Sequence, residues 1–143
     1  MDSKPPSLIS AVAVADQFGR TGKALQSAFD EALDVYGVTL SRARVLIEVA
    51  NAGPVRLSIV AAAVGIAQGT TSELAESLVR EELLTRRPDP SDRRAVLLET
   101  TEQGRDHAKR WGAAYATTAE ELFGTLDEEQ RATLFALLKA LEP

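Results

Sequence analysis

The sequence of 143 residues contains no cysteine and a single histidine, His107. The absence of cysteine excludes disulfide bonds, thiolate nucleophiles and cysteine-ligated metals. One histidine cannot supply the several imidazoles of a nitrogen-rich zinc site. A glycine-rich phosphate loop is missing as well. We therefore predict a protein that is not an enzyme and that needs no metal or cofactor.

Positive charge and long apolar segments are also scarce. The 16 lysines and arginines face 21 aspartates and glutamates, and the resulting net charge of -5 argues against a general nucleic-acid coat protein. No apolar run approaches the length of a membrane span, so we expect no membrane partner. The stretch Leu8–Ala15 resembles a short secretory signal, but its amphipathic pattern continues to Tyr36 and favours a helix. The length fits one domain, or one domain with an added oligomerisation element.

A segment of opposite charge interrupts this acidic chain between Leu83 and Gly104. Two short apolar runs, near Leu83–Arg87 and Ala95–Thr100, flank a tight loop that contains proline, and alternation in the second run predicts a β-hairpin. A basic hairpin tip on an acidic protein indicates that the tip contacts a polyanion. The charged residues of the tip are four arginines and two aspartates: Arg86, Arg87, Arg93, Arg94, Asp89 and Asp92.

The rest of the pattern is helical. Apolar residues recur at helical spacing, and glycine, proline or capping residues separate the segments. Thr39, Ser58 and Thr101 are predicted N-caps, and Thr125–Glu128 has the spacing of a capping box. The sequence therefore predicts a mainly α fold with a small β-hairpin. The predicted helices span Leu8–Tyr36, Leu40–Asn51, Ser58–Val64, Gln68–Glu82, Thr101–Phe123 and a final segment after Thr125.

Ser58–Leu78 has the spacing of a helix-turn-helix. Ala61 is small where the two helices approach, and Gly65 lies where the turn needs a residue that tolerates positive φ. The spacing alone fits a plain helical hairpin equally well, but a two-stranded ribbon directly after the second helix is typical of a wing. The leading residues of the second helix suit base edges and phosphates in a major groove: Gln68, Gly69, Thr70, Thr71 and Ser72.

The wing residues carry a family resemblance. Asp89-Pro-Ser-Asp92-Arg93-Arg94, followed by Val96, Leu98, Thr101 and Gly104, resembles the wing signature of the MarR-type (multiple antibiotic resistance regulator) transcription factors, and the similarity covers residues 38–104 closely. It implies a cytoplasmic homodimeric repressor on a near-palindromic operator whose half-sites lie about 10 base pairs apart. It also implies dimerisation helices within residues 1–36 and 101–143, around a winged helix-turn-helix DNA-binding lobe of residues 37–100.

The resemblance assigns roles to individual residues. Arg94 corresponds to the wing residue that enters the minor groove, Arg93 to a DNA-backbone contact, and Asp92 to the structural partner of an arginine. An alternative is that Asp89 and Asp92 simply neutralise the arginines, and both interpretations hold if Asp92 orients one arginine while the other reaches DNA. The positions that contact bases and phosphates in the family correspond to Gln68, Thr70, Thr71 and Ser72.

Two residues depart from the family pattern. Glu82 replaces the glycine that usually ends the recognition helix, and Glu73 stands where a neutral or basic residue is usual. Glutamates give the recognition helix a net negative charge. We therefore expect Arg93 and Arg94, helped by Arg86 and Arg87, to supply most of the attraction for phosphate.

MarR-type dimers commonly bind a small aromatic or anionic ligand between the dimerisation helices and the DNA-binding lobe. An arginine beside aromatic side chains suits such a ligand, and the candidate residues are Arg42, Arg44, His107, Trp111 and Tyr115. Trp111 and Tyr115 fit a plain apolar core better than a pocket. The main alternative function is a winged-helix dimer that has lost DNA binding and serves as a protein-interaction module. The acidic recognition helix favours that alternative, whereas Arg93 and Arg94 argue against it.

Overall fold

The computed structural model describes residues 8–143, in which helices surround a three-stranded antiparallel sheet. The predicted class, mainly α with a small β-hairpin wing, is confirmed. Within the described residues, no helix combines the length and the apolar character needed to cross a membrane. The elements are α1 (Ala11–Asp34), α2 (Leu40–Ala52), β1 (Val55–Arg56), α3 (Leu57–Val64), α4 (Gln68–Arg80), β2 (Leu84–Asp89), β3 (Asp92–Thr100), α5 (Glu102–Phe123) and α6 (Glu128–Ala140).

The helix starts follow side-chain caps, only some of which were predicted. Thr39 and Thr101 cap α2 and α5 as expected. α1 begins at Ala11 rather than Leu8, because the Ser10 hydroxyl accepts the Ala13 N–H at 3.1 Å. The predicted Ser58 cap is wrong, since α3 already includes Leu57 and has no side-chain cap. The expected box over residues 125–128 is wrong too: an Asp127 and Gln130 pair forms it, two residues later.

The sheet has one strand more than the predicted hairpin. β3 lies in the centre, with β2 on one side and the two-residue β1 on the other. Val55 is paired with Leu98 and Arg56 with Leu97, so the link before α3 belongs to the sheet. The β2–β3 hairpin pairs Leu84 with Thr100 at its base and is irregular near Pro88 and Asp89 at its tip. The wing is therefore anchored to the start of α3 as well as to the end of α4.

The hydrophobic core lies where α2, α3, α4 and α5 meet the sheet. The largest fully buried side chains include Leu33, Leu46, Leu78 and Leu98. α6 has no buried residue, and within α1 the described buried residues are Phe29 and Leu33, near its C-terminal end. The winged lobe therefore has its own core, whereas much of α1 and all of α6 lie outside it.

The end of α4 is tied closely to the start of α5. The Thr101 N–H donates to the Leu83 carbonyl oxygen at 3.1 Å, and the Thr101 hydroxyl donates to the Glu82 carbonyl oxygen at 2.7 Å. Gly104 follows in the first turn of α5, where its N–H donates to the Thr101 hydroxyl at 2.9 Å. A Cβ at Gly104 would lie 2.8 Å from the Leu83 carbonyl carbon and closer still to its oxygen. The glycine is thus required by the close approach of α5 to the chain entering β2.

Glu82 occupies the left-handed region, with a φ of 62°, at the turn that ends α4. A side chain with a Cβ is strained there by about 1 to 2 kcal/mol, and glycine is not. We expect Glu82→Gly to raise the free energy of unfolding by about 1 kcal/mol, after allowance for the greater freedom of glycine in the unfolded chain. Urea denaturation measures this change.

Glu82→Ala is the matched control, because it removes the same carboxylate but keeps the Cβ at positive φ. Its stability should stay within about 0.5 kcal/mol of the wild type. The strain argument fails if the glycine variant unfolds at the same urea concentration as the alanine variant, or at a lower one.

Candidate nucleic-acid interface

The α4 helix, which we call the recognition helix, presents its N-terminal end to solvent. Gln68, Gly69 and Thr70 are exposed, and Ser72 is half-buried. Thr71 is fully buried, and its hydroxyl donates to the Ala67 carbonyl oxygen at 3.0 Å. The prediction that Thr71 is free to face DNA is therefore wrong.

Helical periodicity explains why Thr71 is buried. Thr71, Ala75 and Leu78 follow the i, i+4, i+7 spacing of one helix face, and all three are buried. Gly65, in the turn before the helix, has a φ of 68°, as the helix-turn-helix spacing predicted. The recognition helix thus packs on the lobe through this buried face and leaves most of the polar residues at its N-terminal end exposed.

The wing arginines are all exposed, and they divide between two grooves. Arg94 lines a cavity of about 290 Å³ between the wing and the recognition helix, together with Arg56, Ser58 and Gln68. The second groove, of about 350 Å³, is lined by wing residues alone and contains the other three arginines: Arg86, Arg87 and Arg93. Arg94 and Gln68, predicted from separate motifs, therefore share one concave surface.

Asp89, rather than Asp92, is the aspartate that pairs with an arginine. The Arg56 Nε donates to a carboxylate oxygen of Asp89 at 2.7 Å, and Asp89 is buried although Arg56 is partly exposed. Asp92 instead accepts the backbone N–H of Arg94 at 3.0 Å. The predicted structural role of Asp92 toward an arginine side chain is therefore corrected. Arg56 was missed, because the 33 residues between it and Asp89 leave no local signal for the pair.

Hydrogen bonds organise the tip of the wing around Asp89. The Ser91 N–H and hydroxyl donate to one carboxylate oxygen at 2.9 and 2.8 Å, and Arg56 donates to the other. These bonds, those from Ser91 above all and then the one from Arg56, lower the pKa of Asp89 from its usual 3.8, against the opposing effect of burial. Asp89 therefore stays ionised in the folded protein and fixes the conformation of the tip.

The lowered pKa of Asp89 leads to a pH-dependent prediction. A carboxyl with a depressed folded-state pKa contributes stability that is present above its unfolded-state pKa and lost as pH falls through the folded value. We expect Asp89→Asn to lower the melting temperature at pH 7, and the difference from wild type to shrink below about pH 4. Melting curves of both proteins between pH 7 and pH 2.5 provide the measurement. Asp92→Asn is the control, and an Asp89→Asn deficit that does not change with pH would contradict the assignment.

A family match accompanies this geometry. Residues 38–96 match the model of the MarR family, and this range runs from the start of the winged lobe to the middle of β3. The winged lobe of this chain is therefore similar to the MarR family over residues 38–96.

Known proteins are similar to this chain in sequence and in fold. The HTH-type transcriptional regulator YhbI of Bacillus subtilis strain 168 is 24% identical over 98 residues, which are 68% of this chain and 64% of that protein. The chain thus matches less than two thirds of that relative's length. CouR of Rhodococcus jostii RHA1, bound to p-coumaroyl-CoA, has a TM-score of 0.81 at 25% identity, with 90% of each chain covered. A mutant MarR of Escherichia coli, complexed with operator DNA, has a TM-score of 0.77 at 22% identity, over 94% of this chain and 99% of that one.

The five residues predicted to form a ligand pocket are not brought together in this MarR-type fold. Arg42 forms an ion pair with Glu81, and the Arg44 side chain donates to the Val64 carbonyl oxygen at 2.9 Å. The other three lie along α5. Trp111 is buried in the core, with the His107 ring packed edge-on against it at a centroid distance of 5.5 Å. Tyr115 stacks on Phe29 of α1, with 4.8 Å between ring centroids.

One of the five predicted pocket residues, Arg44, does line a cavity. The space of about 300 Å³ lies between α1, α2 and the turn that precedes the recognition helix. Arg44 lines it, and so do Phe29, Leu25 and Gly65. His107, Trp111 and Tyr115 do not line it: Trp111 belongs to the core, and Tyr115 stacks on Phe29. An arginine beside an aromatic ring does occur here, with Phe29 as the aromatic residue.

Proposed function

We propose that the protein is a homodimeric, sequence-specific DNA-binding transcriptional regulator that acts as a repressor at a near-palindromic operator. The observation that carries this proposal is the cavity shared by Gln68 and Arg94. A helix whose N-terminal residues enter a major groove lies beside a wing residue that reaches the adjacent minor groove in such proteins. The MarR complexed with operator DNA has the same fold as this chain, which supports the arrangement.

Charge supports a wing that carries most of the phosphate attraction. The exposed residues of the recognition helix include Glu73, Glu76 and Arg80, so this surface is net negative. The wing presents four exposed arginines, and among the described residues the ion pair that they form joins Arg87 to Glu99 at 3.9 Å. Polyanion binding depends on such localised positive charge rather than on net charge. In this proposal Arg94 enters the minor groove, and Arg86, Arg87 and Arg93 contact the DNA backbone.

The dimer is proposed to form through α1, α5 and α6. α6 has no buried residue, yet it carries exposed apolar side chains, among them Phe135, which is 67% exposed, and Leu137, which is 60% exposed. Val12 and Phe18 of α1 are likewise exposed. Exposed apolar side chains concentrated on these two helices are typical of an interface. We therefore assign residues 1–36 and 101–143 to dimerisation and residues 37–100 to DNA binding; residues 1–7 lie outside the described residues.

A small aromatic or anionic effector is proposed to release the protein from DNA. The cavity beside Arg44 and Phe29 supplies a cation and an aromatic face, which suit an aromatic carboxylate. CouR, bound to p-coumaroyl-CoA, is a neighbour whose ligand includes an aromatic group. Aromatic carboxylates should raise the melting temperature of the wild type and of Arg42→Ala, but not of Arg44→Ala. A broad panel that shifts no variant, or that shifts all three equally, would exclude this cavity as the effector site.

Titration of labelled DNA tests the proposed function. Fragments upstream of the protein's own gene are mixed with the wild type at low salt, fluorescence anisotropy reports binding, and light scattering gives the mass of the protein and the complex. We expect two chains per operator and a lower affinity for unrelated fragments of equal length. A monomer in solution would refute the proposed dimer, and no binding to any upstream fragment at low salt would refute the regulator.

The exposed glutamates of the recognition helix also favour a second function. A winged-helix dimer that has lost DNA binding and acts as a protein-interaction module would use the acidic surface around Glu73 and Glu76. The same titration separates the two functions, because the interaction module binds no duplex at any salt concentration.

A further inference from the structure

Glu73 lies on the outermost line of the recognition helix. It is two residues from Thr71 and two from Ala75, both fully buried, and each such step turns the helix by about 160° away from the buried side. Gly69 and Arg80 are exposed on the same outward side, one and two turns away. Any duplex that receives this helix in a groove therefore meets Glu73.

Within the part of the chain that the structure describes, no cation forms an ion pair with the carboxylate of Glu73. Among residues 8–143, the ion pairs of the helix-turn-helix and the wing join Arg42 to Glu81, Arg56 to Asp89, and Arg87 to Glu99, and none includes Glu73. A carboxylate that enters a groove without a hydrogen-bond donor loses its hydration and is repelled by phosphate. The DNA itself must then supply the donor that compensates Glu73.

The major groove offers few such donors. An ionised carboxylate only accepts hydrogen bonds, and the exposed edges of guanine (N7 and O6) and thymine (O4) are acceptors as well. The donors are the amino groups of cytosine (N4) and adenine (N6), and adenine places the acceptor N7 directly beside its amino group. Cytosine is therefore the base that fits a glutamate best.

We propose that Glu73 is a specificity-determining residue that accepts a hydrogen bond from the N4 amino group of one cytosine in each half-site. This inference rests on the proposed function, because it requires that the recognition helix enters the major groove. It gives the negative recognition helix a purpose: Glu73 selects cytosine and rejects guanine and thymine, while the wing arginines provide the attraction that keeps the complex together.

Glu76 provides a matched control for Glu73. It is an exposed glutamate on the same helix, but it is one residue from the buried Ala75 and two from the buried Leu78, so it lies on the flank of the exposed surface. Changing either residue to glutamine removes one negative charge and keeps the side-chain length. A charge effect alone predicts the same result for both variants, whereas base recognition predicts a difference.

Selection from a random duplex pool, followed by titration of the selected site and its single-base variants, tests the inference. We expect cytosine at one symmetric position of each half-site, and an affinity loss of about 5- to 140-fold when another base replaces it. Glu73→Gln should shift the preference at that position toward adenine, which glutamine contacts through N6 and N7. Glu76→Gln should keep the cytosine preference.

Each other outcome separates the inference from the proposed function. If the wild type selects a site but Glu73→Gln keeps its base preference and only raises affinity for all sequences, as Glu76→Gln does, the carboxylate merely repels DNA. The inference is then overturned while the regulator stands. If the selected site lacks cytosine, the inference is likewise overturned while the regulator stands. If the wild type binds no duplex at low salt, the proposed function fails and the inference fails with it.

Discussion

Gly104→Ala should destabilise the protein by about 3 kcal/mol or more, and this is the largest loss of stability that we expect from a single methyl group in this chain. The added Cβ would overlap the carbonyl group of Leu83, which is backbone and part of the connection from the recognition helix to the wing. That carbonyl oxygen already accepts the N–H of Thr101 at 3.1 Å. The clash therefore forces α5 away from β2 and breaks the bonds that hold the wing against the helix.

Gly112→Ala is the control for the Gly104 prediction. It lies in the same helix, and the nearest atom to its added Cβ is the flexible Ile47 side chain at 3.9 Å. Alanine is the better helix former by about 1 kcal/mol, so this variant should be as stable as the wild type or more so. Urea denaturation measures the free energy of unfolding of the two variants. Equal stabilities would mean that Leu83 can move away from Gly104 at little cost.

Arg94→Ala should weaken operator binding by about 10- to 100-fold without lowering the melting temperature. Arg94 is exposed and lines the cavity next to Gln68. The recognition helix contributes little positive charge, so neighbouring side chains should not replace the minor-groove contact that we propose for Arg94. Fluorescence anisotropy at one salt concentration measures the change in affinity.

Arg87→Ala removes the same charge from the same wing and serves as the comparison for Arg94→Ala. Arg87 lies in the other groove and already faces Glu99 at 3.9 Å, so its loss should reduce affinity several-fold less. If the two variants bind equally, the arginines act only as a diffuse positive field. If Arg87→Ala is the weaker binder, the assignment of the minor-groove residue is incorrect.

Local signals predicted most of the fold. Glycine at the turn, threonine at two helix starts and alternation along β3 each depend on a few neighbouring residues, and the structure has the corresponding turn, caps and strand. The burial of Thr71 was missed although its signal is local as well. Its hydroxyl suggested contact with DNA, yet its spacing from Ala75 and Leu78 places it on the buried side of the helix.

Long-range contacts could not be predicted from the sequence. Arg56 and Asp89 are 33 residues apart, and their pairing depends on β1 joining the sheet, which a two-residue strand does not reveal. Most of the predicted ligand pocket is wrong for the same reason. The prediction combines three residues of α5 with Arg42 and Arg44 of α2. In the structure, Phe29 of α1 lines the cavity beside Arg44 instead. The wing could be predicted from its signature, because the residues of that signature are close together in the chain.

The central claim is that the wing supplies the electrostatic attraction for DNA, while the recognition helix selects the sequence. The most direct test is the salt dependence of operator affinity for the wild type and for a variant with alanine at the four wing arginines, Arg86, Arg87, Arg93 and Arg94. Each lost phosphate contact should reduce the slope of log K against log salt by about 0.9. We predict a steep slope for the wild type and the loss of most of it in the variant. A variant that keeps the wild-type slope and affinity would contradict the account.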